Sequence, residues 1–468
     1  MQNYCRALTL WAENVAGGIV SPGHVGDVRH KPPSVVGIAF VLQTFDEAVP
    51  DEDAPTSIEA AMRTLVQKGV DVLIAPYSSG LTARAAVAVS QAAAAQFAAA
   101  AADVHGQGND THSSSNTTFG SNPDLDPHHH WPAVPLMLSA GAAAESVYTC
   151  TDKMEYPCTR PYGRRFPNVF TLLSPGAKYF QGLVELAAAQ RSAGIAIVYE
   201  TGGYAGNLFS KSVSNGARAH ARSLGVEILI EIGMTIDTNV AETTIKVADD
   251  DAAGTLDAPT SSSSSAYPRF VVTAPEQIAG SIAIAETLKP VVNAEAHKVA
   301  GNQGGVVVVA VTQKEISCEH LLASLTAFGV EPASIGLTVC STQADFPALL
   351  QSLNNRSFVT GPSQWDSKLK GPDYKESSAG TSPVHHFASD TVPSPMQFEL
   401  AFEERWGGVS PTYHTASVMA AVYMLEDAIQ ATGAHSLARD LGTALHHVRM
   451  TSFFGTLHFN TIGVVEER

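Results

Sequence analysis

Tyr77-Ser78-Ser79-Gly80 sets two hydroxyls and a glycine between an apolar run, Val70 to Ala75, and an alanine-rich stretch that opens at Thr82. The run has the length and β-branched content of a buried strand. The stretch after it is strong helix-forming sequence. A strand, a tight serine turn and a helix start gather several backbone N–H groups and two hydroxyls at one point. Such a point attracts a carboxylate or another anion. The plainer reading is that Ser78 caps the helix. A second turn of small residues, Ser139-Ala140-Gly141, closes the apolar run Val134 to Leu138. Trp365 follows the strand-like Ser357 to Thr360, where an aromatic ring either fills the core or stacks on a ligand.

Other chemistry-bearing residues point less clearly. His128-His129-His130 could hold a transition metal, yet they lie between Pro127 and Pro132 at the edge of a polar insert, as a solvated loop would. His385-His386 and His446-His447 are adjacent pairs, which diverge on a helix and point to opposite sides of a strand. Gly202-Gly203 with Gly206 does not have the dinucleotide-binding spacing, and no phosphate-loop or nucleophile-elbow pattern occurs. No nucleophile stands beside an evident base, and no strand-end turn carries paired carboxylates. The absence of a catalytic constellation weighs against an enzyme, and no cofactor is expected; an α/β enzyme whose two lobes close on substrate is the alternative class.

The elements that must position these turns alternate along most of the chain. Residues 35–41, 70–75 and 134–138 read as strands, with a helix over 57–67. The rhythm restarts after Asn168: strands over 169–173, 195–199, 226–232, 270–273, 306–311 and 335–340, and helices over 178–190 and 318–328. Alternation of this kind implies parallel sheets covered on both faces. Two lobes are expected from 468 residues. The restart of the rhythm places a second α/β lobe after the first. Polar low-complexity segments at 103–130, 249–267 and 371–392 read as disordered surface inserts.

Composition narrows the partners. Apolar residues make up 45% and charged residues 16%, as in a globular chain with a large buried fraction. The formal charge of −17 argues against nucleic acid and against anionic membrane surfaces. The alanine-rich run is too weakly apolar for a membrane span, and residues 1–5 lack the marks of a signal peptide. Cys150 and Cys158 bracket a short polar loop that suits a disulfide better than zinc. Cys318 and Cys340 could pair or stay as buried thiols. Asn109, Asn116 and Asn355 head acceptor sequons for glycosylation. Together these lean towards an oxidising, extracellular or cell-surface setting.

Several separated segments share an order with a known family. The serine turn is followed by Val134-Pro-Leu-Met-Leu-Ser139-Ala-Gly141, then by Phe166-Pro-Asn-Val-Phe170. Ala196-Ile-Val-Tyr199 and Gly203-Tyr204-Ala-Gly206 come next, and near the end Ser410-Pro-Thr-Tyr413-His-Thr-Ala416 and Phe453-Phe-Gly455 through Asn460 and Gly463. Over residues 4 to 464, less the inserts, this order resembles the type I periplasmic-binding-protein superfamily, and within it the leucine-binding-protein or receptor ligand-binding-region family. The resemblance implies a non-enzymatic binding module of two Rossmann-like lobes, a discontinuous first lobe, 1–168 with 343–464, and a second lobe, 169–342, with a small polar or amino-acid-like ligand between them. It implies that the turns at Tyr77, Ser78 and Ser79 and at Ser139, Ala140 and Gly141 grip the carboxylate and amine. It further implies that Tyr204 closes from the other lobe and that Thr312 and Gln313 lie near the amine, neither being an acid here. Partners would be a transporter, a membrane-bound signalling segment or a second copy in a homodimer. Arg6 to Val15 reads as the family's first helix. The strand before it and the closing strand after Gly463 are therefore expected to be missing, as in a fragment of a longer product.

Overall fold

The computed structural model describes residues 6–8, 10, 54–106, 134–149, 165–201, 207–237, 239–247, 267–298, 304–312, 315–338, 358–361, 394–432, 438–452 and 454–465. The predicted strand at 35–41 lies outside them, as do almost all of the three predicted inserts.

The first sheet holds three parallel strands, β1 (Val72–Ile74), β2 (Leu136–Ser139) and β3 (Val169–Thr171), in that order. One face is covered by α1 (Ala54–Gln67) and α2 (Ser79–Gly106). Ile58, Met62 and Val66 of α1 meet Ala85, Ala86 and Val89 of α2 over Leu73, Met137 and Val169. Alanine is what lets two helices and a sheet approach this closely while still propagating a helix. α2 runs to Gly106, four residues into the predicted insert at 103–130 and one turn past its last alanine, Ala102.

The second sheet has seven strands. They are β4 (Ser192–Glu200), β5 (Ile228–Ile236), β6 (Thr244–Val247), β7 (Arg269–Ala274), β8 (Gly304–Val311), β9 (Ser334–Leu337) and β10 (Phe358–Thr360). Their spatial order is β10-β9-β8-β4-β5-β7-β6, all parallel except β6. The chain thus leaves β4 to one side, then returns to its other side through β8. Between strands run α3 (Gln181–Ala189), α4 (Asn207–Ser223), α5 (Gln277–Lys298) and α6 (Glu315–Ala327). The continuous apolar run Val306 to Val311 divides by parity. Val306, Val308 and Ala310 pack under Ile284 and Leu288 of α5 and Leu322 of α6, whereas Val307, Val309 and Val311 pack under Val184 of α3 and Val213 of α4. A strand buried on both faces needs apolar residues at every position, and this is why it shows no polar alternation.

Three expectations need correction. β3, predicted to open the second lobe, pairs with β2 in the first sheet, and β10, predicted to belong to the first lobe, pairs with β9 in the second. Both crossings fall at strands whose apolar content suits either sheet. Third, the chain end does close the first sheet: Thr171 N–H donates to Gly463 O (2.8 Å), Val465 N–H donates to Thr171 O (3.2 Å), and Val464 bridges Thr171 in parallel. The closing segment is only a bridge wide, too short for a strand pattern to register.

The rest of the chain covers the other face of the first sheet. It comprises α7 (Pro395–Arg405), α8 (Tyr413–Thr432), α9 (Ala438–His447) and the hairpin of β11 (Arg449–Ser452) and β12 (Gly455–His458). Phe398, Met419, Leu445 and Leu457 bury Leu136, Leu138 and Phe170 there.

α4 also touches the turn that follows β3. A Cβ built at Gly216 would fall on the backbone of Ala177, 2.5 Å from its carbonyl carbon. Gly216→Ala is expected to destabilise the chain by about 1–3 kcal/mol through overpacking. Gly182→Ala, where a Cβ meets open space, is expected to be neutral or mildly stabilising. Urea unfolding of the two variants checks both.

Candidate functional site

In parallel α/β sheets the carboxyl ends of the strands are where ligands bind. At that end of the first sheet the two predicted turns lie side by side. Ala75 N–H donates to Leu138 O (2.8 Å), carrying the β1–β2 pairing up to both turns. Gly141 sits directly against Tyr77: a Cβ there would collide with the Tyr77 ring and carbonyl and lie 2.7 Å from its Cα. Glycine is required because two chain segments share this space.

The two serines that sequence reasoning put forward bind their own scaffold. Ser79 Oγ accepts from Ala144 N–H (3.2 Å), lashing the start of α2 to the second turn. Ser139 Oγ accepts from Ala142 N–H (2.9 Å) and Gly141 N–H (3.4 Å), closing its own turn. Ser79 is 2% exposed, and Ser139 and Ala140 are fully buried. Tyr77 and Ser78 are half-buried and form the rim. The capping expectation for Ser78 takes a different form, since Thr82 N–H donates to the Ser78 carbonyl (2.8 Å) and Thr82 Oγ1 donates to Pro76 O (2.7 Å).

A third element completes this wall, and sequence reasoning did not assign it a role. Thr412 and Thr415 cap α8 reciprocally, with Thr412 N–H donating to Thr415 Oγ1 (3.2 Å) and Thr415 N–H to Thr412 Oγ1 (3.3 Å). Ser417 Oγ donates to Ala140 O (2.8 Å), pinning the first turn of α8 to the second loop. His414 thereby lies edge-on to Tyr77, ring centroids 4.0 Å apart at 76°, and against Tyr413 at 4.4 Å. Its Nε2 is buried and has no hydrogen-bond partner among the described residues. Burial lowers its pKa from the ordinary 6.5 to about 3, so it is neutral at physiological pH. Burial pushes the Tyr77 phenol up to about 12, with the Tyr413 hydrogen bond offsetting part of the rise. The motif signal was present in Tyr413-His-Thr-Ala416; what sequence could not show is that this helix start reaches Tyr77.

On the second sheet the topology reverses between β4 and β8, and their ends carry Glu200 and Thr312. Thr312 is 4% exposed and acts as a pin: its N–H donates to Thr338 Oγ1 (3.0 Å), Thr338 Oγ1 donates back to Thr312 O (2.6 Å), and its hydroxyl lies 2.9 Å from Cys318 Sγ. Cys318 is disulfide-bonded, with its partner outside the described residues. Thr201 Oγ1 donates to Met234 O (3.0 Å) and contacts Thr235 Oγ1. Asp237, just past β5, accepts from Asn239 N–H (2.9 Å) through Oδ1. Glu200 and Asp237 are carboxylates at strand ends that the family resemblance, which points to Thr312 and Gln313, does not single out. Tyr204, Gln313 and Trp365 lie outside the described residues, as do Cys150, Cys158, Asn109, Asn116, Asn355 and the His128 cluster. Among the described residues no group of three metal-ligating side chains occurs, and no helix is long and apolar enough to cross a membrane.

Ser79→Ala removes the acceptor for a buried N–H, and such a loss costs about 1–3 kcal/mol; chemical denaturation is expected to show it. His414 gives a pH dependence. Below pH 6.5 the unfolded chain takes up a proton that the folded chain refuses until about pH 3. Its contribution is therefore full above pH 6.5 and is lost as the pH falls towards 3. His414→Phe is expected to flatten the acid limb of a urea-midpoint titration over that window.

No protein-family model matches the chain, and no curated protein sequence does. Solved structures do. A solute-binding protein of an ABC transporter from R. palustris, in complex with benzoate, is 11% identical with a TM-score of 0.55, covering 100% of this chain and 86% of that one. Another from R. palustris, in complex with 4-hydroxybenzoate, is 10% identical with a TM-score of 0.54, at 100% and 86% coverage. The branched-chain amino acid transporter substrate-binding protein of Streptococcus pneumoniae, in complex with isoleucine, is 10% identical with a TM-score of 0.55, at 100% and 89%. By its sheet order, its two strand-end turns and its full-length superposition on these structures, the chain has the type I periplasmic-binding-protein fold.

Proposed function

We propose that this chain is a non-enzymatic binding module that closes on a small carboxylate, amino-acid-like or aromatic. The observation that carries it is the seat of Tyr77 and Ser78 over the first turn of α2, locked to the Ser139–Gly141 turn by Gly141 and by the Ser79 to Ala144 hydrogen bond. A helix start held rigidly at the carboxyl edge of parallel strands is a place where backbone N–H groups and a partial positive charge favour an anion. Ser79 and Ser139 support that seat from below, and Ser78 and Tyr77 meet the ligand.

The opposite wall is the β4–β8 edge of the second sheet. Tyr204 and Trp365 would cover the ligand body, with Gln313 beside them. For an amino acid, Asp237 supplies the acidic contact to the ammonium that Thr312 and Gln313 do not. The structural neighbours' ligands, benzoate, 4-hydroxybenzoate and isoleucine, all carry a carboxylate, which supports the shared anion seat. A ligand that touches both walls only when they approach shifts the population towards the closed state. Sequons at Asn109, Asn116 and Asn355 and a Cys150–Cys158 disulfide fit an extracellular location. There the module serves either as the outer part of a membrane receptor, alone or as a homodimer, or as a soluble protein delivering to a transporter.

Small-angle scattering tests closure. Addition of isoleucine, benzoate or 4-hydroxybenzoate is expected to reduce the radius of gyration of the purified chain. Ser79→Trp, which breaks the seat, is expected to abolish the reduction. Compaction that persists in this variant would remove the turn from the site.

A further inference from the structure

The helix α4 carries two neighbouring stripes that serve different sheets. Residues four apart share a helix face, so Phe209, Val213, Ala217 and Ala221 form one stripe and Leu208, Ser212 and Gly216 the next. The first stripe belongs to the second sheet. Val213, Ala217 and Ala221 are at most 1% exposed and pack with Ile195, Ile197 and Val309. Arg218, donating through Nε to Glu231 of β5 (3.1 Å), fastens the helix there a second time.

The other stripe turns to the first sheet. Gly216 lies on the backbone of Ala177. One turn earlier, a Cβ at Gly176 would stand 3.2 Å from Ser212 Oγ and from Val213 Cγ2, and 3.3 Å from Ala143 O. Gly176 N–H donates to that same carbonyl (2.6 Å). The helix, the segment leaving β3 and the turn after β2 thus converge on one glycine. A further turn towards the helix start, Leu208 packs on the apolar cluster of Ala85, Ala144 and Val147, which belongs to the first sheet. The contact grades along the stripe, from backbone-close at Gly216 to a half-buried side chain at Leu208.

That gradient suits a lever. Resting on the closure proposed above, we infer that α4 travels with the second sheet, rocks on Gly176 and Gly216, and holds the first sheet at Leu208 until the two walls part. Side chains at the fulcrum would keep the backbones apart, and glycine removes them. Residues eight apart on a helix lie about 12 Å apart along its axis, so a rocking of about 10° at Gly216 lifts Leu208 by about 2 Å. A gap of about 1 Å already forfeits up to half of a dispersion contact. Leu208 therefore favours the closed walls before any ligand arrives, and the ligand adds to a closed population that already exists.

Small-angle scattering on the full chain without ligand is the first test. Leu208→Asp puts a charge into the seam, while an acid near the start of α4 suits the helix dipole and keeps the helix. The radius of gyration is expected to rise above that of wild type. Calorimetry with isoleucine is expected to show an affinity about tenfold weaker, as the closed fraction falls by that factor. Leu208→Met keeps an apolar contact and should retain the wild-type values of both. Val213→Ala, in the stripe that stays on the second sheet, should lower the urea midpoint and leave the radius of gyration unchanged. Far-ultraviolet circular dichroism confirms that each variant is folded.

A ligand-free radius of gyration that stays at the wild-type value in Leu208→Asp overturns the lever. So does an equal rise in Val213→Ala, which would mark general loosening. Failure of the carboxylate seat reads differently: wild type then binds neither isoleucine nor benzoate, while the ligand-free scattering of Leu208→Asp still decides the lever.

Discussion

Tyr77 resting on the bare backbone of Gly141 is the contact on which the candidate site depends. Neighbouring parallel strands lie about 4.8 Å apart, so two loops leaving β1 and β2 must either diverge or share a volume smaller than two side chains. Here they share it, because one partner has no Cβ. The Ser79 to Ala144 hydrogen bond then fixes the start of α2 in register with the second turn, and Ser417 fixes the start of α8 to Ala140. Three element ends are thus tied by one backbone contact and by two short serine side chains bonded to backbone groups. A wall built this way presents its rim without having to order it on binding, and such preorganisation is where affinity for small ligands is gained.

The second sheet solves a different problem. Its central strands are largely apolar on both faces. Glu231 on β5, only 3% exposed, is the buried carboxylate that orients a helix there. Arg218 of α4 donates to it through Nε (3.1 Å), Tyr267 donates through its hydroxyl (3.0 Å), and Arg269 of β7 stands 3.6 Å away. Burial and the adjacent carboxylate push the Tyr199 phenol up to about 12. A buried carboxylate held by several donors contributes position more reliably than stability. It sets α4 against β5 and β7, and α4 in turn meets Ala177 through Gly216. The path from the second sheet to the segment leaving β3 therefore runs through one helix held by one ion cluster.

What was legible in the sequence follows from how local each determinant is. Strands buried on both faces announce themselves by unbroken β-branched runs, so β4, β5, β7, β8 and β9 were all expected within a few residues of where they lie. The serine turns were legible for the same reason. Sheet membership was not: β3 and β10 look alike as three-residue apolar strands, and only long-range pairing assigns them. Nor was the division of labour among the serines, since a hydroxyl that grips a ligand and one that closes a turn are the same residue type. Burial separates them, placing Ser139 under the surface and Ser78 at the rim. His414 was quoted only as part of a motif, because nothing local signals that its ring meets Tyr77, 337 residues earlier in the chain.

The charge balance bears on any anionic ligand. A chain with a formal charge of −17 repels a carboxylate at long range. Screening confines that field to about 8 Å at physiological salt, so recognition has to be local. A helix start offers roughly half a positive charge with oriented N–H donors, enough to hold one carboxylate but not to neutralise a second. The far wall carries Glu200 and Asp237 at its strand ends, adding negative charge there. On the function proposed above, the two walls ask for opposite things: an anionic group at the α2 start, and a neutral or cationic one towards β4 and β5. Under that proposal a ligand polarised in this direction meets both demands only when it lies one way round, so charge alone would select its orientation.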